Sequence, residues 1–130
     1  MPITFTTARR VPATAHVVAH GVTTEGFEDG SGLPDGVDAG APGRLGFEAR
    51  AEQVLVLPSG ERLVALVGLG SADEVSTDTV RRSAATLARA TCKHRSLACD
   101  LAAASGLDAA PATQAVVEGI GLAAYRFGYT

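Results

Sequence analysis

The chain has no tryptophan, one methionine, two cysteines and 5% aromatic residues. Two thiols in 130 residues cannot staple a small fold, so Cys92 and Cys99 read as reduced, partly buried side chains and not as a disulfide framework. Basic charge is not in excess. With 11 Lys+Arg against 14 Asp+Glu the formal charge is -3, which creates no field to attract nucleic acid or an anionic membrane. Long apolar runs are missing as well: the uncharged stretch Leu63 to Ala72 falls well short of the roughly 20 residues that span a bilayer. No export signal is expected, because the Arg9-Arg10 pair precedes a segment holding Pro12 and His16 without a sustained apolar core. These absences describe a soluble, cytoplasmic chain with one domain's worth of residues.

What is present is concentrated in Gln53 to Gly70. Val54 to Leu57 and Leu63 to Val67 are aliphatic runs, and Pro58-Ser59-Gly60-Glu61 between them has turn chemistry. This pattern predicts a β-hairpin. Apolar residues at successive positions require cover on both faces, so the hairpin is expected inside a sheet with helices on either side.

Upstream, Ile3 to Thr7 alternates and is β-branched, predicting an edge strand, and Ala15 to Val22 predicts a second strand centred on Val17 and Val18. From Gly26 to Gly46 seven glycines and two prolines in 21 positions exclude a long regular element, leaving a surface loop with room for a short helical turn. Downstream, Val80, Ala84, Leu87, Ala88 and Thr91 recur with helical period, with Arg81, Arg82 and Arg89 on the other face. Ser76 or Thr77 caps this helix, Asp78 suits its first turn, and Lys93, His94 and Arg95 suit its end. Ser96 to Leu101 predicts an interior strand reached by a crossover, which gives the sheet parallel pairs besides the hairpin. Ala102 to Ala110 is expected to be a loop. Pro111 then opens a last helix with Val116, Ile120 and Ala123 as its core stripe and Gly119 as a point of close approach to the sheet.

The candidate chemistry is sparse. Gly68-Leu69-Gly70 lies between a strand and a helix, so a phosphate-cradling loop is one reading. Against it, the third glycine position of the dinucleotide pattern is Asp73 and the helix begins only near Thr77, which favours a structural turn. His16 and His20 on a strand stand about 13 Å apart, too far to share an ion. Cys92 and His94 have no second pair at ligand spacing. Ser59, Ser71 and Ser105 lack a G-x-S-x-G context, Asp73 and Glu74 read as solvated or capping, and Arg81 and Arg82 as a solvated face. No catalytic residue, metal ligand or cofactor is assigned to this chain.

The order VLVLPSGERLVALVGLG, TDTVRRSAATLARA, a strand, then AVVEGIGLAAYRFGYT resembles the N-terminal domain of the leucyl aminopeptidase (cytosol aminopeptidase) family. The likeness rests on the Leu-Pro turn, Gly68-Leu69-Gly70, Arg81-Arg82 at the helix start, and Glu118-Gly119 leading to Tyr125-Arg126-Phe127, over residues 47 to 130. Two departures stand out: Phe47-Glu48-Ala49-Arg50 occupies the place of the usual Phe-x-Gly-Lys, and the stretch 26 to 46 is short and irregular. The resemblance implies an α/β fold, a three-layer α/β/α sandwich with a mixed sheet, macro-domain-like, placed before a larger catalytic domain. There two divalent metal ions, zinc or manganese, activate water in a homohexameric enzyme that removes N-terminal residues. Its metal ligands and catalytic residues fall beyond Thr130, so none is carried onto this chain, whose role becomes architectural or regulatory. The aromatic end, Tyr125 to Tyr129 within 124–130, becomes the start of a connection to that domain. The alternative is a macro-like module binding ADP-ribose or another nucleotide through Gly68, Leu69 and Gly70; DNA binding is disfavoured by charge.

Overall fold

The structure is a computed structural model that describes residues 17–34, 37–38, 40–59, 62–91 and 97–126. The expected strand at Ile3 to Thr7, His16, Cys92 and the Lys93 to Arg95 helix end lie outside the described residues, as does Phe127 onward.

The hairpin forms as the sequence predicts. Strand β2 (Val54–Ser59) pairs antiparallel with β3 (Arg62–Gly70) in the register Val54 to Val67 through Ser59 to Arg62. Strand β1 (Val17–Thr23) runs parallel to β3, with Val17 opposite Leu63 and Gly21 opposite Val67. Strand β4 (Leu97–Cys99) runs parallel to β1 on its other side, giving the order β2-β3-β1-β4 and a mixed sheet.

Two expectations about position are corrected. The hairpin is not wholly interior: β3 is central, but β2 is the margin of the described sheet, only half-buried, with Val56 36% exposed. The strand expected at Ser96 to Leu101 spans only Leu97–Cys99 and is the opposite margin. The crossover from β3 to β4 steps over β1, which takes the interior place between them. A continuous apolar run states that a strand needs cover, and a packed helix supplies it at a margin as well as in the middle.

The alternation of β1 and β3 divides the core. Val17, Ala19, Ala65, Val67 and Leu69 face one way, where they meet Val80, Ala84 and Leu87 of helix α3 (Thr77–Ala90) and Ala115 and Val116 of helix α5 (Ala109–Arg126). Val22, Val64 and Leu66 face the other way and pack with Phe47, Ala49 and half-buried Phe27 and Leu33. Short helices α1 (Thr24–Asp29) and α2 (Ala41–Arg44) belong to this second layer, at the two ends of the glycine-rich stretch. The chain is thus an α/β sandwich with its two longest helices on one face.

Helix α3 (Thr77–Ala90) starts at the Ser76 cap, whose hydroxyl accepts from the Thr79 N–H while the Thr79 hydroxyl accepts from the Ser76 N–H. This reciprocal cap satisfies two otherwise orphan donors. The helix ends on Thr91, whose hydroxyl donates to the Leu87 carbonyl at 2.8 Å. A further correction concerns Ala102 to Ala110: Leu101–Ala104 form helix α4, and α5 (Ala109–Arg126) begins two residues before Pro111. Leu101 is fully buried and anchors α4 against β1, which a reading of small residues alone missed.

Gly119 does mark a close approach, but its partner is a helix and not the sheet. A Cβ at Gly119 would overlap the Arg81 carbonyl oxygen and lie 3.0 Å from the Ala84 methyl, so α3 and α5 cross backbone to backbone there. Their contact is the most extensive between any two helices.

Candidate functional site

Gly68-Leu69-Gly70 ends β3, and the chain just before β2 folds across it. The Gly68 N–H donates to the Gln53 carbonyl at 2.7 Å and the Gly70 N–H to the Ala49 carbonyl at 2.9 Å, while the Gly68 carbonyl accepts from the Glu52 N–H at 3.1 Å. A Cβ at Gly68 would overlap the Arg50 carbonyl and stand 2.7 Å from the Ala49 carbonyl carbon. Gly70 holds φ 78°, a left-handed conformation natural to glycine, and Leu69 is buried in the α3/α5 core. The glycines therefore admit a crossing segment of the same chain. The amides of Gly68 and Gly70, which a phosphate would need, already have carbonyl partners.

The crossing segment is held from several sides. Ala49 and Glu52 take left-handed backbone, φ 59° and 69°, which costs a residue with a Cβ about 1–2 kcal/mol. Gln53 offsets this: its amide oxygen accepts from the Glu48 N–H at 2.8 Å and its amide nitrogen donates to the Gly46 carbonyl at 2.9 Å. Ser83, fully buried on α3, donates to the Gly68 carbonyl and accepts from the Glu52 N–H, both at 3.3 Å. Sequence reasoning missed Ser83. Its only signal was a small polar residue beside Ala84 on the buried side of an otherwise apolar stripe.

Carboxylates occupy the carboxyl ends of the parallel strands. Glu25 accepts from the Ala72 N–H at 3.0 Å and the Ser71 hydroxyl at 3.1 Å, tying the start of α1 to the residues after β3. The backbone donor at Ala72, helped by Ser71, holds the Glu25 carboxyl below the usual glutamate range. Asp100, just after β4, accepts from the Gly21 N–H at 2.8 Å and pairs with His20 Nδ1 at 3.0 Å, linking β4 to β1. His20 is thus a polar strand residue with a carboxylate partner. Among the described residues no three His, Cys, Asp or Glu side chains come together to hold a metal ion. Cys99 is a free thiol on a residue exposed overall, while burial around the sulfur pushes the thiol above its usual range, in keeping with the partly buried side chain expected of it.

Arg81 and Arg82 are not simply solvated. Arg81 pairs with Glu118 of α5 at 3.2 Å and with Asp78 at 3.3 Å, and Arg82 pairs with Asp78 at 3.1 Å and approaches Glu52 at 3.8 Å. Both arginines tie α3 to its neighbours beside the Gly119 crossing. The candidate serines are likewise structural: Ser71 serves Glu25, and Ser105 donates to the Ala102 carbonyl at 2.7 Å. Asp73 and Glu74 lie exposed in the short 3-10 turn Ala72–Glu74. No helix among the described residues is long and apolar enough to cross a membrane. A shallow groove of about 420 Å³ opens between Thr24, Phe27 and Glu28 of α1 and Glu48 and Arg50 of the crossing segment.

Comparison with known proteins gives a consistent picture. The profile described as the cytosol aminopeptidase family, N-terminal domain, matches residues 41–129. A probable cytosol aminopeptidase of Acaryochloris marina (strain MBIC 11017) is 41% identical over 76 residues, which cover 53% of this chain and 14% of that protein. Among solved structures, the bottromycin maturation enzyme BotP superposes with a TM-score of 0.73 at 40% identity, covering 87% of this chain and 24% of that one. A mutant of tomato leucine aminopeptidase superposes with a TM-score of 0.66 at 21% identity, over 85% of this chain and 25% of that one; that likeness concerns the fold. The chain spans about a quarter or less of each relative's length.

Proposed function

The chain belongs to the cytosol aminopeptidase family, as its N-terminal domain, and from that premise we propose that it is the non-catalytic, architectural domain of a longer, cytoplasmic, metal-dependent leucyl aminopeptidase. In this reading the partner is a catalytic domain of the same polypeptide, and the whole enzyme is a homohexamer that removes N-terminal residues from peptides. Two divalent ions, zinc or manganese, would belong to that catalytic domain, where a pair of metals activates water and stabilises the developing oxyanion. Manganese finds support in a BotP structure described as a complex with Mn. The described residues of this chain do not fit such ions, since no three donor side chains converge. The macro-domain-like sandwich would serve to shape access to the active site and to support assembly.

The observation that carries the architectural reading is the closed end of β3. A macro-like module that cradled phosphates at Gly68-Leu69-Gly70 would need free amides there, and both glycine amides are bound to Ala49 and Gln53. Incubation of the purified 130-residue protein with a leucyl reporter and manganese or zinc is expected to give only the rate of the metal alone. Enzyme-dependent hydrolysis would overturn the proposal. Calorimetric titration with ADP-ribose is expected to give no binding heat, and a micromolar isotherm would replace the architectural role with a nucleotide-binding one.

A further inference from the structure

We draw no further inference here: the strongest candidate, the His20–Asp100 side-chain pair that bridges β1 and the end of β4, carries nothing, because among the described residues no third metal-ligating side chain joins it and nothing in the structure shows what the imidazole would bind.

Discussion

The α3–α5 crossing makes opposite predictions for two glycines one turn-fraction apart on the same helix. Helix propensity alone says that alanine at either Gly119 or Gly121 should stabilise α5, by up to about 1 kcal/mol. Around Gly121 no atom lies within 4 Å of a new methyl, so that gain is expected in full or in part. At Gly119 the methyl would overlap the Arg81 carbonyl oxygen and stand 3.0 Å from both the Arg81 carbonyl carbon and the Ala84 methyl. Carbon atoms settle at about 3.5–4.0 Å, so the helices must part by at least about 0.5 Å along their most extensive contact. The obstacle is backbone, which cannot swing aside as a side-chain end can. Overpacking of this kind costs about 1–3 kcal/mol. Taking the upper end for a backbone clash and subtracting the propensity gain leaves a net loss of about 2 kcal/mol. At about 4 °C per kcal/mol for a domain of this size, Gly119→Ala should melt about 8 °C below the parent and Gly121→Ala up to about 4 °C above it. Thermal unfolding followed by far-UV circular dichroism, with urea midpoints as a second measure, reads both. A Gly119→Ala protein as stable as the parent would refute the close crossing and leave Gly119 as an ordinary helix residue.

Ser83→Ala removes a donor from the Gly68 carbonyl and an acceptor from the Glu52 N–H at a fully buried position, while those two groups keep their bond to each other; a loss of about 1 kcal/mol in urea unfolding is expected, and amide exchange should rise at Glu52 before it rises in α3. Glu25 gives a pH dependence. Its carboxyl is held below the usual value in the folded chain by the Ala72 N–H, so its stabilising contribution is complete above the ordinary glutamate value of about 4.3 and is lost as pH falls through the lower folded value. Urea midpoints measured from pH 6 down to pH 3 should therefore fall less steeply in Glu25→Gln than in the parent, and parallel curves would remove Glu25 from the account.

Much of the local structure was legible in the sequence, and so was the family. The hairpin was visible because turn chemistry at Pro58-Ser59 separates two aliphatic runs, and the limits of α3 because Ser76, Asp78 and the Val80-Ala84-Leu87 stripe all lie within one element. Such signals depend on neighbours in sequence, whose spacing the backbone fixes. Strand order had no such signal. That β1 separates β3 from β4, and that β2 and β4 are the margins of the described sheet, follows from a crossover whose length permits more than one landing place. The same limit applied to individual residues. Gly119 advertised a close approach, yet only the folded chain chose Arg81 on α3 as its partner. Arg81 and Arg82 looked like solvated charge until Glu118 and Glu52 arrived from other elements. Gly68-Leu69-Gly70 already favoured a structural turn over a phosphate loop, because Asp73 takes the third glycine position, but only the tertiary structure supplied the partners of that turn, by filling its amides with Ala49 and Gln53. Sequence determined which segments form which elements because those interactions are local. The meaning of the glycines, the buried serine and the charged pairs was decided by long-range packing, where the partner lies tens of residues away.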